Sequence, residues 1–196
     1  MNKKTRALEE EQYYLIIDTI KAGFINKDGT ECRPNARVAA ALVLEANLGM
    51  RIGDILKLRI SDIIRDGNRY RLDIIEQKTG KCRDFTVPGS IYNYILEYAL
   101  ENKIGKQAKL FDLSERAVQK QLKLTCDYLN LDGIGTHSFR KFFATNLYVD
   151  NGYNMELVRD LLQHANTNIT QRYIGLRRKD VEEALERNIK LRKYAY

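Results

Sequence analysis

The sequence predicts an α+β fold that is mostly α-helical, with one small antiparallel sheet inserted among the helices. Apolar residues recur at helical spacing up to residue 59 and again from residue 91 onward. Between these regions the side chains follow a two-residue alternation, and aromatic and β-branched side chains become frequent. The length of 196 residues fits one domain. We therefore expect a single domain over 1–196, helical over 1–59, with a sheet at about 60–87, and helical again over 89–196.

Two longer helices and one short helix are predicted before the sheet. Ala7–Lys21 forms the first, and the glycine-containing stretch Lys21–Pro34 is predicted to be a loop. Ala36–Asn47 is rich in alanine, valine and leucine, which predicts a buried helix. Gly49 breaks this helix, and Arg51–Leu58 is expected to form a short helix after the break.

The sheet is predicted from two runs of strand-like residues. Alternation over residues 70–77 follows a turn at Asp66-Gly67, and a second strand is expected at Cys82–Val87, ended by Pro88. We expect two or three antiparallel strands. The helical period then returns, and a tail helix is predicted from about residue 179, after Tyr173.

The composition favours a polyanionic partner. Lysine and arginine number 33 against 26 acidic residues, a net charge of +7, which makes nucleic acid the leading candidate. The three cysteines are widely spaced without a CxxC motif, so neither a disulfide framework nor a cysteine zinc site is expected. No apolar run is long enough for a transmembrane helix, and the first residues are too charged for a signal peptide. We expect a cytoplasmic protein.

Two motifs in the first half of the chain carry charged residues of interest. Arg51 and Asp54 are three residues apart and fall on one face of a helix. Lys78 and Lys81 flank the turn between the two predicted strands, where a lysine can reach into a neighbouring groove. Taken alone, the first motif is typical of a surface ion pair and the second of a solvated hairpin.

Two motifs in the second half contain the only histidines of the chain. His137 and Arg140 are three apart and share a helix face. His164 ends an apolar helix, and Tyr173 follows nine residues later. Taken alone, a histidine at a helix start is typical of a structural residue, and Tyr173 is one of twelve tyrosines.

Together these motifs supply the groups that phosphodiester chemistry needs. Arginines hold the non-bridging oxygens as forks, and histidines donate hydrogen bonds or move protons near neutral pH. A lysine can protonate a departing alkoxide, and a tyrosine can act as a nucleophile. The candidate catalytic residues are Arg51, Lys78, His137, Arg140, His164 and Tyr173.

These motifs, in this order, resemble the catalytic domain of the tyrosine recombinase (phage integrase) family over nearly the whole chain. The family pattern is Arg, Lys, His-x-x-Arg, His or Trp, then Tyr, with the same spacing of nine before the tyrosine. The resemblance implies that Tyr173 attacks a DNA phosphodiester, leaving a 3′-phosphotyrosine and a free 5′-hydroxyl. It implies that Arg51 and Arg140 clamp the phosphate and that Lys78 is the general acid. His137 and His164 would support proton transfer, and no metal or cofactor is implied.

The sequence departs from the family pattern in three places. Gln163 stands where glycine usually precedes the histidine, and Lys141 follows Arg140 where histidine is common. Only a short helix precedes the catalytic region, so no separate core-binding domain is expected. The chain is then either a fragment of a longer integrase or a compact recombinase, like the fimbrial invertases.

The resemblance also implies double-stranded DNA as the partner. A basic stripe is predicted on one helix, where a charged face is otherwise usually just solvated. The expected DNA-binding residues are Lys81, Arg116, Lys120, Lys123 and Lys141. We expect a monomer without DNA and a homotetramer on paired DNA sites, with accessory DNA-bending proteins possible. The tail helix would pack either within its own chain or on a neighbouring subunit.

Other interpretations are open. A catalytically idle DNA-binding regulator would not need Tyr173, so the intact set of six residues argues against it. A type IB topoisomerase-like enzyme shares the tyrosine chemistry, but the small size and the integrase-like motifs disfavour it. A metal hydrolase is the least favoured of these interpretations, because two histidines without a carboxylate at ligand spacing make a poor metal site.

Overall fold

The computed structural model describes residues 5–75, 80, 82–174, 182 and 185–186, and this part of the chain confirms the predicted α+β, mainly helical class. The helices are α1 (Glu10–Ala22), α2 (Ala36–Leu48), α3 (Ile52–Ile55), α4 (Gly89–Glu101), α5 (Glu115–Tyr128), α6 (Thr136–Asp150), α7 (Met155–Leu162) and α8 (Thr167–Gln171). The strands are β1 (Phe24–Ile25), β2 (Glu31–Cys32), β3 (Ile63–Asp66), β4 (Arg69–Ile75) and β5 (Cys82–Val87).

The first 59 residues are not wholly helical, which corrects the sequence prediction. The stretch predicted as a loop contains the β1–β2 hairpin, in which Phe24 pairs with Cys32 and both side chains are buried. The Phe24 ring also stacks on Tyr128 of α5, with ring centroids 4.4 Å apart. Strands of two residues are too short to show an alternating pattern, so the hairpin depends on this tertiary packing.

Helix α3 is shorter than the predicted Arg51–Leu58 segment. After Ile55 the chain continues in a tight turn, in which the N–H groups of Lys57 and Leu58 donate to the carbonyls of Asp54 and Ile55. The carbonyl of Leu58 then accepts a hydrogen bond from the N–H of Leu110 at 2.8 Å. Arg59 and Lys109 form an isolated antiparallel bridge next to it. Pairing with this distant segment therefore ends the helix early.

The main sheet has three antiparallel strands in the order β3-β4-β5. Ile63 lies opposite Leu72, and the β4–β5 ladder ends with Ile75 opposite Cys82. The buried face of the sheet contributes Ile63, Leu72 and Val87 to the core. In this order, β3 and β5 are the edge strands of the sheet.

Helix α2 lies at the centre of the core and packs on both α1 and α6. Its alanines let the neighbouring helices approach closely, and Ala39, Ala41 and Leu42 have no exposed surface. Helix α6 carries Phe139 into the same core. A second, smaller apolar cluster contains Ala144, Val158 and Leu162, with partly buried aromatic residues around it. This cluster joins α6 to α7 beneath the candidate site.

The predicted tail helix lies largely outside the described residues. Of this segment, Glu182, Leu185 and Glu186 are helical and exposed. Among the described residues, no helix combines the length and the apolar character needed to cross a membrane.

Candidate active site

Arg51 is held by a sharp turn at the end of α2. Gly49 terminates this helix in the left-handed region at φ 58°, and its N–H donates to the carbonyl of Glu45 at 3.0 Å. Arg51 then takes an extended conformation and becomes the N-cap residue of α3, where its side chain is half-buried. The carbonyl of Arg51 accepts the N–H of Asp54 at 2.9 Å, and the Asp54 side chain is buried.

Replacing Gly49 by alanine is expected to destabilise the fold by at least about 2 kcal/mol, since a left-handed non-glycine residue and an overpacked contact each cost 1–3 kcal/mol. A Cβ at this position would overlap the ring of Phe143. Gly67→Ala is the matched control, because Gly67 has φ 59° but no atom within 4 Å of such a Cβ. Urea denaturation measures the stability that each variant loses. The loss in Gly67→Ala reports the left-handed strain alone, so an equal loss in Gly49→Ala would contradict the expected clash with Phe143.

Arg140 is the most deeply buried of the candidate residues that the structure describes, with 0% of its surface exposed. It lies on α6, and its guanidinium donates to the carbonyl of Gly49 at 2.5 Å and to the carbonyl of Leu162 at 3.0 Å. These two carbonyls belong to the ends of α2 and α7, where helices leave acceptors unsatisfied. Arg140 therefore joins α6 to the ends of α2 and α7. One of its two partners, Gly49, is two residues before Arg51 in the sequence.

Glu45 is a buried acid of the site that the sequence analysis did not identify. It lies on α2, one turn before Gly49, and has no exposed surface. Burial raises the pKa of its carboxyl well above the ordinary value of 4.5, while the positive charge of Arg140 and the backbone N–H of Ile52 partly oppose this rise. The available signal was the only acid in a helix made mainly of alanine, valine and leucine.

The stability of the protein is expected to fall, relative to a Glu45→Gln variant, as pH rises above about 4.5. A raised pKa in the folded state means that the unfolded chain binds fewer protons in this range, so ionisation of Glu45 favours unfolding. Below pH 4.5 both states are protonated and the difference is constant. Urea denaturation of both proteins between pH 4.5 and 8 measures the slope, and parallel profiles would contradict the prediction.

His164 lies just after α7 and is fixed from two sides. Its backbone N–H donates to the carbonyl of Arg159 at 3.0 Å. Its ring Nδ1 lies 3.1 Å from the hydroxyl oxygen of the buried Thr170. Which of these two atoms donates depends on the histidine tautomer. The preceding Gln163 closes α7 in the left-handed conformation, at φ 53°.

Tyr173 follows α8 and is half-buried against the small apolar cluster. Its ring centroid lies 4.6 Å from that of His164. The guanidinium carbon of Arg140 lies 5.8 Å from the centre of the same ring, within the range of a cation–π contact. The structure thus brings Arg140, His164 and Tyr173 into one cluster, with Arg51 beside it through the Gly49 turn.

The other predicted residues are placed differently. His137 is exposed on the first turn of α6, one turn before the buried Arg140. Lys141 is half-buried, and its ammonium group donates to the carbonyl of Thr5. Lys78 and Lys81 lie outside the described residues.

The predicted basic stripe lies on α5, where Arg116, Lys120 and Lys123 are all exposed. Lys123 forms an ion pair with Asp127 one turn later, at 2.6 Å. In the part of the chain that the structure describes, no three histidine, cysteine or acidic side chains come together as metal ligands.

The chain is similar in sequence to several curated proteins. A probable integrase/recombinase of Bacillus subtilis, YoeC, is 30% identical over 168 residues, covering 82% of this chain and 85% of that protein. The tyrosine recombinase XerA of Pyrococcus furiosus is 25% identical over 190 residues, covering 93% of this chain and 61% of that protein.

Solved structures share the fold. The XerH site-specific recombinase, in a post-cleavage complex with its palindromic difH substrate, matches 94% of this chain with a TM-score of 0.69 and 24% identity. The chain spans 53% of that protein. The catalytic domain of bacteriophage HP1 integrase matches 94% of this chain and 96% of its own length, with a TM-score of 0.63 and 18% identity.

The family model described as the phage integrase family matches residues 6–179, which include every candidate catalytic residue. The curated relatives carry the names of integrases and tyrosine recombinases. The folds that match along nearly the whole chain are those of recombinases and of an integrase catalytic domain. The chain belongs to the phage integrase family.

Proposed function

We propose that this recombinase domain cleaves and rejoins double-stranded DNA at a specific site, with Tyr173 as the nucleophile. The observation that carries the proposal is the cluster in which the ring of Tyr173 contacts both His164 and Arg140. A binding module has no need for a tyrosine in contact with a proton carrier and a buried guanidinium. The recombinase names of the relatives and the DNA-bound state of XerH support the same activity.

In the proposed cleavage step, the Tyr173 hydroxyl oxygen forms a bond to phosphorus while the bond from phosphorus to the 5′ oxygen breaks. The tyrosine proton passes to the neighbouring His164, and the 5′ oxygen takes a proton from Lys78. Arg51 and Arg140 neutralise the charge on the non-bridging oxygens. Attack by a 5′-hydroxyl of a partner strand reverses the step, so the bond energy is retained without hydrolysis.

The burial of Arg140 adds a requirement to this mechanism. The guanidinium has no exposed surface in the DNA-free structure, and the Tyr173 ring lies against it. A phosphate can therefore reach Arg140 only after a group that covers it has moved, and the Tyr173 ring is the group that we propose to move. Displacement of Tyr173 on DNA binding would carry the hydroxyl from its resting position toward the phosphorus.

The exposed residues of α5 are the proposed contacts to the DNA backbone. Arg116 and Lys120 follow the i, i+4 spacing of one helix face, and phosphate contacts of this kind position a protein without reading the sequence. Lys141 is a weaker candidate, because its ammonium group already contacts the carbonyl of Thr5.

We infer that the domain is a monomer without DNA and forms a tetramer on paired DNA sites. Residues 1–196 then act as one catalytic domain, with the basic face of α5 toward the duplex. A solved lambda integrase dimer bound to a core site, with a TM-score of 0.65 and 18% identity, shares the fold. A tetramer found in solution without DNA would contradict this assembly.

The direct test is covalent capture of DNA. The protein is incubated with pooled duplex fragments of its source genome that carry nicks, and SDS-resistant adducts are isolated and sequenced. A recurrent sequence joined through a 3′-phosphotyrosine is the expected result. Binding without an adduct would favour a catalytically idle DNA-binding regulator, and relaxation of supercoiled DNA without sequence preference would favour topoisomerase-like activity.

A further inference from the structure

Thr170 is a buried polar residue that lies between His164 and Tyr173 in the sequence. It belongs to α8, six residues after the histidine and three before the tyrosine, and none of its surface is exposed. A buried hydroxyl group is unfavourable unless it has a hydrogen-bond partner. The partner of this hydroxyl therefore indicates what the residue does.

The Thr170 hydroxyl does not take the partner that is usual for threonine in a helix. That partner is the backbone carbonyl four residues earlier, and the hydroxyls of Thr19 and Thr125 donate to it at 2.7 and 3.0 Å. Within the described residues, the hydroxyl of Thr170 has one partner, the ring Nδ1 of His164 at 3.1 Å. This bond fixes one nitrogen of the histidine ring to α8.

The backbone of Thr170 contacts the residue that carries the proposed nucleophile. Its carbonyl accepts the N–H of Tyr173 at 2.8 Å. The Tyr173 ring in turn lies beside the His164 ring, with ring centroids 4.6 Å apart. Thr170 thus bonds to His164 through its side chain and to Tyr173 through its backbone.

We propose that Thr170 is a positioning residue that holds the His164 ring in place to take the proton of Tyr173. This inference rests on the proposed function, in which the tyrosine O–H bond breaks and the proton bonds to His164. Once Nε2 has taken that proton, the ring is an imidazolium whose Nδ1 also carries hydrogen and donates to the Thr170 hydroxyl. A charged donor makes a stronger hydrogen bond than a neutral one, so this bond strengthens during proton transfer. Thr170 acts through His164 and touches no reacting atom.

Two pairs of side chains at position 170 isolate the effect of the hydroxyl. Valine has the shape of threonine without the hydroxyl, and alanine differs from serine only by the hydroxyl. In each pair, the protein with the hydroxyl should cleave bound DNA about tenfold faster, because only it can make the charged hydrogen bond. The affinity for DNA should be equal within each pair. If one variant fails to fold, the other pair gives the answer.

Thr125→Val is the matched control for the loss of a buried threonine hydroxyl. Thr125 also has no exposed surface, but its hydroxyl donates to a backbone carbonyl of its own helix, α5. This variant should lose stability in urea and cleave bound DNA at the wild-type rate. A merely structural role of Thr170 would give the same result for Thr170→Val.

Nitrogen NMR of the histidine rings gives a direct readout of the contact. The chain has only two histidines, so the two rings can be followed separately. The Nδ1 resonance of His164 should shift in Thr170→Val and return toward the wild-type position in Thr170→Ser. The resonances of His137 should stay unchanged in both variants, because this residue is exposed on α6.

Three results would overturn the inference while leaving the proposed function intact. The first is equal cleavage within both pairs by a protein whose wild type forms the adduct. The second is an unchanged Nδ1 resonance of His164 in the variants without the hydroxyl. The third is weaker DNA binding with an unchanged rate of cleavage of the bound DNA. If the wild-type protein formed no adduct, the proposed function itself would fail and this inference with it.

Discussion

Replacing Tyr173 by phenylalanine is expected to abolish the covalent protein–DNA adduct while leaving the fold and the affinity for DNA nearly unchanged. Removal of an enzyme's nucleophile lowers turnover by roughly 10⁶-fold. Phenylalanine retains the ring that contacts His164 and Arg140, so only the attacking oxygen is lost. The free energy of unfolding should change by less than about 1 kcal/mol, as for most substitutions outside a packed core.

The measurement is the yield of SDS-resistant adduct on a nicked duplex, alongside DNA binding and urea denaturation of the same preparations. Tyr148→Phe is the matched control, since Tyr148 is half-buried in the same small cluster and its hydroxyl has no proposed chemical role. An adduct formed by the Tyr173→Phe protein would assign the nucleophile to another residue. Loss of the adduct in both variants would indicate that the adduct depends on the packing of this cluster and not on the Tyr173 hydroxyl alone.

Replacing Arg140 by lysine should lower both the cleavage rate and the stability. The guanidinium fork reaches two carbonyls, those of Gly49 and Leu162, and an ammonium group cannot reproduce that planar geometry. Loss of one hydrogen bond from a charged group costs about 1.5–3 kcal/mol. Loss of one phosphate donor in the transition state lowers the rate by about 10²- to 10³-fold.

The two effects can be measured separately. Cleavage is compared at a temperature where wild type and variant are both fully folded, and stability is compared by urea denaturation. Arg33→Lys is the control for the same chemical change, because Arg33 is exposed after β2 and has no proposed contact with DNA. A variant at position 140 that is less stable but cleaves at the wild-type rate would show that Arg140 only supports the fold.

Much of the fold could be predicted because apolar residues recur at clear helical or strand spacing along its long elements. Helix α2 begins at Ala36 as predicted, and the β5 strand has the predicted bounds Cys82–Val87. The β1–β2 hairpin could not be predicted, because it depends on Phe24 stacking on a helix more than a hundred residues away. The shortened α3 has the same cause, since pairing with a distant segment ends it.

The candidate site was predictable in residue type but not in arrangement. Histidine occurs only twice in the chain, so His137 and His164 stood out at once. Their unequal exposure does not follow from spacing, because it depends on how α6 lies against its neighbours. The same crossing of α2 and α6 brings Glu45 near Arg140, which no local pattern around residue 45 reveals.

The two hydrogen bonds of Arg140 also bear on when the protein becomes reactive. They join residues separated by 91 and 22 positions in the chain. Closing long loops costs entropy, so contacts of this kind form late relative to local helices. Leu162 is also synthesised after α2 and α6. A nascent chain therefore lacks the second acceptor for its buried guanidinium until α7 has been made, so the candidate site is completed only late in synthesis.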